Sequence, residues 1–180
     1  AVGQHKMNTT NPWHYAQQLS ENSARLDSAT RWNDTAPTST LVTIGTTDLV
    51  NYNTYTYVAY CFTPIKGYSK FDSYTGNGNA DGPCIYTGFK PAFLMLKRTD
   101  STGAWFVFDN KRLGHNPNND RLFANDNNAG ADTDCLDILS NGFKIRNTDG
   151  DYNLLNGYYI YMAFAEFPIV SSNDVPVVAR

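Results

Sequence analysis

Charge is scarce in this chain, and glutamate is almost absent: 17% of its 180 residues are charged, and the only glutamates are Glu21 and Glu166. Asn, Thr, Gly, Asp and Tyr take up the space instead. That balance disfavours helices, because Asn, Asp and Gly serve turns while Tyr and Thr suit pleated surfaces. No apolar run approaches the ~20 residues needed to cross a bilayer. The first residues show no charged-then-apolar leader pattern, so membrane insertion is not expected. A net charge of −3 with scattered Lys and Arg offers no basic stripe for phosphates, which argues against a nucleic-acid partner. The three cysteines, Cys61, Cys84 and Cys135, are odd in number and have no metal-ligand spacing. They are expected to be small buried hydrophobes, with one disulfide plus a spare thiol as the alternative.

What is present is a pattern written twice. Tyr57-Val58-Ala59-Tyr60-Cys61-Phe62 returns as Tyr159-Ile160-Tyr161-Met162-Ala163-Phe164. Trp13 with Arg25-Leu26 precedes the first copy, and Trp105 with Arg121-Leu122 precedes the second, in matching order. A repeated strand-rich unit implies a core made by stacking a unit on its own copy. The expected division is a first repeat over residues 1–74, a second over 75–167 and a tail over 168–180. The stretch from Gly88 to Arg98 that leads into Trp105 has only Ala1 to Lys6 as a counterpart before Trp13. The first repeat therefore reads as incomplete at its start, either continuing a longer polypeptide or leaving a sheet edge for another subunit to cover.

The clearest strands are Thr54 to Phe62 and Tyr158 to Phe164, both expected to be central. Shorter ones are expected over Lys70–Tyr74, Cys84–Tyr86, Phe93–Arg98, Trp105–Phe108 and Phe143–Arg146. Between them lie turn signals such as Gly76-Asn77-Gly78, Asp81-Gly82-Pro83 and Asn141-Gly142. Asn11-Pro12-Trp13 has helix-opening chemistry, but its repeat partner Trp105-Phe106-Val107-Phe108 reads as strand, so Trp13 to Tyr15 is expected to be a strand. The fold class is all-β, an antiparallel sandwich or jelly-roll-like arrangement built from two internal pseudo-repeats.

Catalytic chemistry finds little support. His5, His14 and His115 accompany no Ser or Cys nucleophile motif, and no phosphate-cradling Gly loop is present. Glu166 is flanked by aromatics, which admits a raised pKa, yet a glycosidase needs a second facing carboxyl that the sequence does not nominate. Asn77 to Gly82 imitates the opening of a calcium loop, but the closing acid position is Gly88, so the stretch reads as a tight turn. Asp126, Asp132, Asp134 and Asp137 read as a solvated acidic loop. No enzyme activity, metal or cofactor is expected. The tyrosines at 52, 55, 57 and 60, and at 152, 158, 159 and 161, suit burial between layers or a subunit contact better than a sugar cleft.

The wording of several segments resembles a known domain. Asn33-Asp34-Thr35-Ala36-Pro37-Thr38, Gly67-Tyr68-Ser69-Lys70-Phe71, Ser73-Tyr74-Thr75-Gly76-Asn77-Gly78-Asn79-Ala80-Asp81-Gly82-Pro83 and Leu139-Ser140-Asn141-Gly142-Phe143-Lys144 are similar to a domain of unknown function. That domain is found at the C-terminal end of structural and tail-fibre-like proteins of aquatic, particularly marine, bacteriophages. The resemblance covers nearly the whole chain. It implies a virion-surface or extracellular setting, often after concanavalin-like lectin and SPRY-like modules, with a terminal Ala-Arg such as Ala179-Arg180. Relatives commonly carry Phe where Cys84 stands. The resemblance brings no catalytic or ligand residues with it.

The expected function is a non-enzymatic structural or adhesive module of a virion appendage, working with other copies of itself or other fibre proteins. The alternatives are a filament subunit with strand complementation and a module that recognises host surface glycan. The expected assembly segments are the chain ends, through Val2 and Met7 or through Val175, Val177 and Val178. Asn8 and Asn33 open N-glycosylation triplets, which a phage product made in a bacterium would leave bare.

Overall fold

Apolar strands separated by turn residues build this molecule, and those apolar on both faces lie in the interior of its larger sheet. The computed structural model describes residues 1–112, 116 and 119–167. Its strands are β1 (Tyr15–Ala16), β2 (Leu26–Asp27), β3 (Ser69–Thr75), β4 (Cys84–Tyr86), β5 (Pro91–Arg98), β6 (Trp105–Asp109), β7 (Asn119–Phe123), β8 (Ala131–Thr133), β9 (Leu136–Leu139), β10 (Gly142–Ile145) and β11 (Tyr158–Ala165). All pair antiparallel. The order is β3-β11-β5-β6-β7-β8 in a six-stranded sheet, β4-β10-β9 in a three-stranded sheet and β1-β2 in a small ribbon. The fold is an all-β sandwich.

The main core lies between the two larger sheets. Tyr159, Tyr161 and Ala163 of β11, Leu94 and Leu96 of β5, and Phe106 and Phe108 of β6 meet Ile85, Leu136, Ile138, Phe143 and Ile145 from the three-stranded sheet. Every second residue of β11 points there, as the period of two requires. Within the three-stranded sheet β10 and β4 approach closely at Gly142, where a Cβ would stand 2.0 Å from the Ile85 carbonyl oxygen, so only glycine fits beside β4. Tyr74 and Tyr159 stack at 4.9 Å, and their hydroxyls turn to backbone: Tyr74 donates to the Tyr152 carbonyl at 2.9 Å and Tyr159 to the Gly150 carbonyl at 2.7 Å. Each buried polar tip is thereby satisfied. Burial pushes the Tyr159 hydroxyl up to about 12.

The opposite face of the six-stranded sheet is covered too. Residues 1–27 run across it as a strap, burying Met7, Trp105 and Ile160 with Val2, Tyr15, Met95 and Tyr158 packed beside them. Polar contacts pin the strap down: Val2 exchanges two backbone hydrogen bonds with Gln17, Gln4 Nε2 donates to the Asp72 and Tyr161 carbonyls, and Trp105 Nε1 donates to the Gln18 carbonyl at 2.9 Å. β11 is thus buried on both faces.

Several expectations hold and others are corrected. Strands occur over each of the five shorter segments and over Tyr158–Ala165. Thr54 to Phe62, expected to be a central strand, belongs to no sheet. A strand exists only where an edge accepts its backbone bonds, and the central position belongs to the similar segment in β11. Trp13 is not in a strand: Pro12–His14 forms a 3-10 turn, because Pro12 presets a helical φ, and the strand starts at Tyr15. Cys135 is buried, whereas Cys61 and Cys84 are exposed. The matched landmarks of the sequence repeat take different structures: Trp105 opens β6 while Trp13 lies in the turn, and Tyr159–Phe164 is sheet while Tyr57–Phe62 is not. Segments 1–74 and 75–167 share one sheet, since β3 pairs with β11 from Ser69 to Thr75.

Candidate interaction surface

The segment that failed to join a sheet is also the most exposed apolar stretch of the described residues. Val58 is 77% and Tyr60 82% exposed, with Tyr52, Tyr55, Tyr57 and Phe62 also open to solvent. We call residues 52–62 the arm. Its base is held beside the short helix Asp48–Asn51, where the Tyr57 hydroxyl donates to the Asp48 carbonyl and accepts the Tyr52 N–H. At its other end the Phe62 ring contacts Phe71 and Phe164 at 5.9 and 5.8 Å, and Phe164 also meets Tyr68 and Phe93. Phe71 and Phe164 alternate with the core residues Tyr74 and Tyr161 along their strands, so this aromatic cluster lies on the outer face, beside the strap. Between these anchors the arm makes no sheet hydrogen bonds.

Beyond Phe62 the chain reaches the margin between the two sheets. Pro64, Ile65, Lys66 and Lys70 face Tyr86 and Gly88 across a groove of about 310 Å³. Tyr86 is 64% exposed, and Lys70 both donates to its carbonyl at 2.6 Å and lies 5.7 Å from its ring centroid. The groove pairs an aromatic face with a cation already held by the protein.

Three of the acidic residues considered as chemical candidates, Glu166, Asp137 and Asp126, are occupied by structural contacts. Glu166 lies 2.9 Å from both Lys111 and Lys90, and these two lysines, Lys111 foremost, hold its carboxyl below the usual range. The raised pKa that its aromatic neighbours suggested is corrected: the lysines outweigh desolvation. Asp137 pairs with Arg146, and Asp126 accepts from Asn128. In the Asn77–Gly82 turn, Asn77 Oδ1 accepts the Asn79 N–H and Asn153 Nδ2, while Asn79 Oδ1 accepts the Asp81 N–H. These oxygens point at donors, as in a chain of Asx turns. Among the described residues no group of three or more His, Cys, Asp or Glu is arranged to hold a metal ion. His14 lies 3.8 Å from Asp34, His5 is partly exposed beside Lys6 with its pKa lowered by burial, and His115 lies outside the described residues.

The chain-end candidates separate. Met7 is fully buried and Val2 is bridged to Gln17, so both serve the strap over the chain's own sheet. Val175, Val177 and Val178 lie outside the described residues.

Sequence reasoning missed Lys97. It continues the alternation of β5 onto the outer face and is fully buried under the strap, with Nζ donating to the Arg98 carbonyl at 2.6 Å and lying 6.0 Å from the Trp105 ring centroid. The Leu94-Met95-Leu96 run before it was the available signal. Burial, partly offset by Asp151, pushes its amine down to about 8 from 10.5. The unfolded chain therefore holds a proton that the folded one releases between those values, and stability rises with pH there. Lys97 by itself should add up to about 2 kcal/mol to the unfolding free energy from pH 8 to pH 10, set against the buried Tyr74, Tyr152, Tyr159 and Tyr161 hydroxyls, which ionise more readily in the unfolded chain and lower stability as pH nears 10. Urea titrations from pH 8 to pH 10 should show a more positive pH dependence of stability in the parent chain than in Lys97→Met; equal dependence would refute the assignment.

A model of the family described as Domain of unknown function (DUF7483) matches residues 2–168. No curated protein and no solved structure matches the chain significantly.

Proposed function

We propose that this chain, which belongs to the DUF7483 family of domains of unknown function, is a non-enzymatic structural and adhesive module of a bacteriophage virion appendage, displayed at the particle surface and assembling with other copies or other fibre proteins. The observation that carries this reading is a two-sheet scaffold, buried on both faces of its larger sheet, that presents a bare aromatic arm at its margin. Rigid β scaffolds place contacts on projecting segments, and contiguous exposed apolar surface marks an interaction site. The family resemblance supplies the phage setting. The absence of enzyme activity is supported by Glu166, which two lysines hold ionised where a general acid would need its proton. A net charge of −3 accords with a partner other than nucleic acid.

Antibody raised against the chain and viewed on native particles by electron microscopy tests the reading. Label confined to discrete appendages supports it, and free polymers of this chain with unlabelled particles would sink it. A second reading, recognition of host surface glycan, draws on the exposed Tyr86 ring beside the 310 Å³ groove, since aromatic faces stack on sugars. Binding on a glycan array that Tyr86→Ala abolishes would favour it.

A further inference from the structure

We propose that the arm of one copy adds as a strand to the outer edge of β3 in a second copy, so that residues 57–62 become the seventh strand of the partner's large sheet. The inference rests on the assembly part of the reading above and supplies its partner and its contact. Three independent observations converge on it.

The first is an open edge. β3 ends the six-stranded sheet, and among the described residues no strand pairs with its far side. The Gly76 N–H donates to the Gly157 carbonyl and the Ala165 N–H to the Tyr68 carbonyl, which makes the even-numbered residues the ones that bond to β11. The backbone groups of Ser69, Phe71, Ser73 and Thr75 consequently point away from the sheet. Ser69 meets Ile65 of its own chain, and the Ser73 N–H rests on the Asp72 carboxylate at 2.9 Å, a local contact that an incoming strand replaces.

The second is chemical equivalence. Residues 57–62 repeat the pattern of 159–164, and 159–164 is the stretch of β11 that already pairs with β3 on its other side, from Tyr159↔Tyr74 to Phe164↔Ser69. By that correspondence Val58, Tyr60 and Phe62 match Ile160, Met162 and Phe164 of the outer face. A strand with this alternation suits the edge of this sheet.

The third is that the arm is kept from its own edge. Continuing the Ile65↔Ser69 bridge would bring Cys61 opposite Ser73 of the same chain, but Phe62 instead turns onto the outer-face rings, and Tyr57 is tied to Asp48 and Tyr52. Arm and edge are each left without a strand partner among the described residues, and each copy offers one of both. Strand addition then closes as a reciprocal pair or propagates head to tail.

Sedimentation equilibrium with hydrogen–deuterium exchange tests the proposal on the whole chain. The parent should self-associate, with amides of residues 57–62 and of Phe71 and Thr75 protected in the associated form. Tyr60→Lys should weaken association by about tenfold or more. Thr75→Pro, which removes an edge donor, should do the same, and unchanged far-UV circular dichroism would show that both variants fold. A chain that stays monomeric, association indifferent to both variants, or a monomer whose Phe71 and Thr75 amides are already protected by its own chain would each overturn it. Solution monomers that nevertheless decorate appendages would defeat this inference alone, while self-association without label on particles would defeat the virion reading alone.

Discussion

Replacing Asn153 by alanine is expected to lower the unfolding free energy by about 3–4 kcal/mol, because one fully buried side chain closes two loops with hydrogen bonds worth about 1 kcal/mol each. Asn153 Oδ1 accepts the Asn77 N–H at 2.8 Å, and its Nδ2 donates to the Asn79 carbonyl at 2.7 Å, the Asn147 carbonyl at 2.9 Å and Asn77 Oδ1 at 3.0 Å. Backbone bonds from the Gly78 N–H to the Asn153 carbonyl and from the Asn153 N–H to the Asp149 carbonyl complete the junction. Truncation leaves the partners on both loops dry and unmatched, which costs more than the bonds contribute. Urea unfolding should show a lower midpoint with the slope retained. Asn153→Asp should be nearly as damaging, since a carboxylate keeps the acceptor and loses every donor. A change below about 1 kcal/mol in Asn153→Ala would contradict the clamp.

Trp105→Ala is expected to cost about 3–5 kcal/mol, the range for emptying a large aromatic site. Trp105 is 4% exposed, packs with Met7 and Ile160, and ties its indole N–H to the strap at Gln18. The loss should therefore be felt at a distance in sequence. Amides of residues 2–17 should exchange faster, those of β9 and β10 on the far side of the sandwich much less so. Uniform loss of protection across both sheets would mean that the strap is no separate layer. The variant also uncovers Lys97, so its amine should titrate nearer its ordinary value, and its contribution to stability between pH 8 and pH 10 should shrink.

Both residues show what a single sequence can display. Trp105 was legible as the start of a strand because Trp105-Phe106-Val107-Phe108 is strongly β-prone. Its depth was not, because the layer covering it comes from residues 1–27 and is fixed by long-range contacts such as Gln4 to Tyr161. Asn153 carried no signal, since an Asn in a polar loop looks the same whether solvated or clamped. Glu166 was visible as an unusual acid, but the lysines that set its charge state approach from Lys90 and Lys111, far away in the chain.

The sequence by itself determined the all-β class, the strand character of β11 and most short strands, because a period of two and turn residues such as Asn and Gly are local properties. It also determined that Tyr57–Phe62 and Tyr159–Phe164 are alike. Only the tertiary structure decided that one lies at the heart of a sheet and the other stands bare beside it. Strand character belongs to a segment, but pairing belongs to two, and in this chain β3 and β5 both flank the second copy. The arm keeps its strand chemistry with no sheet of its own to complete.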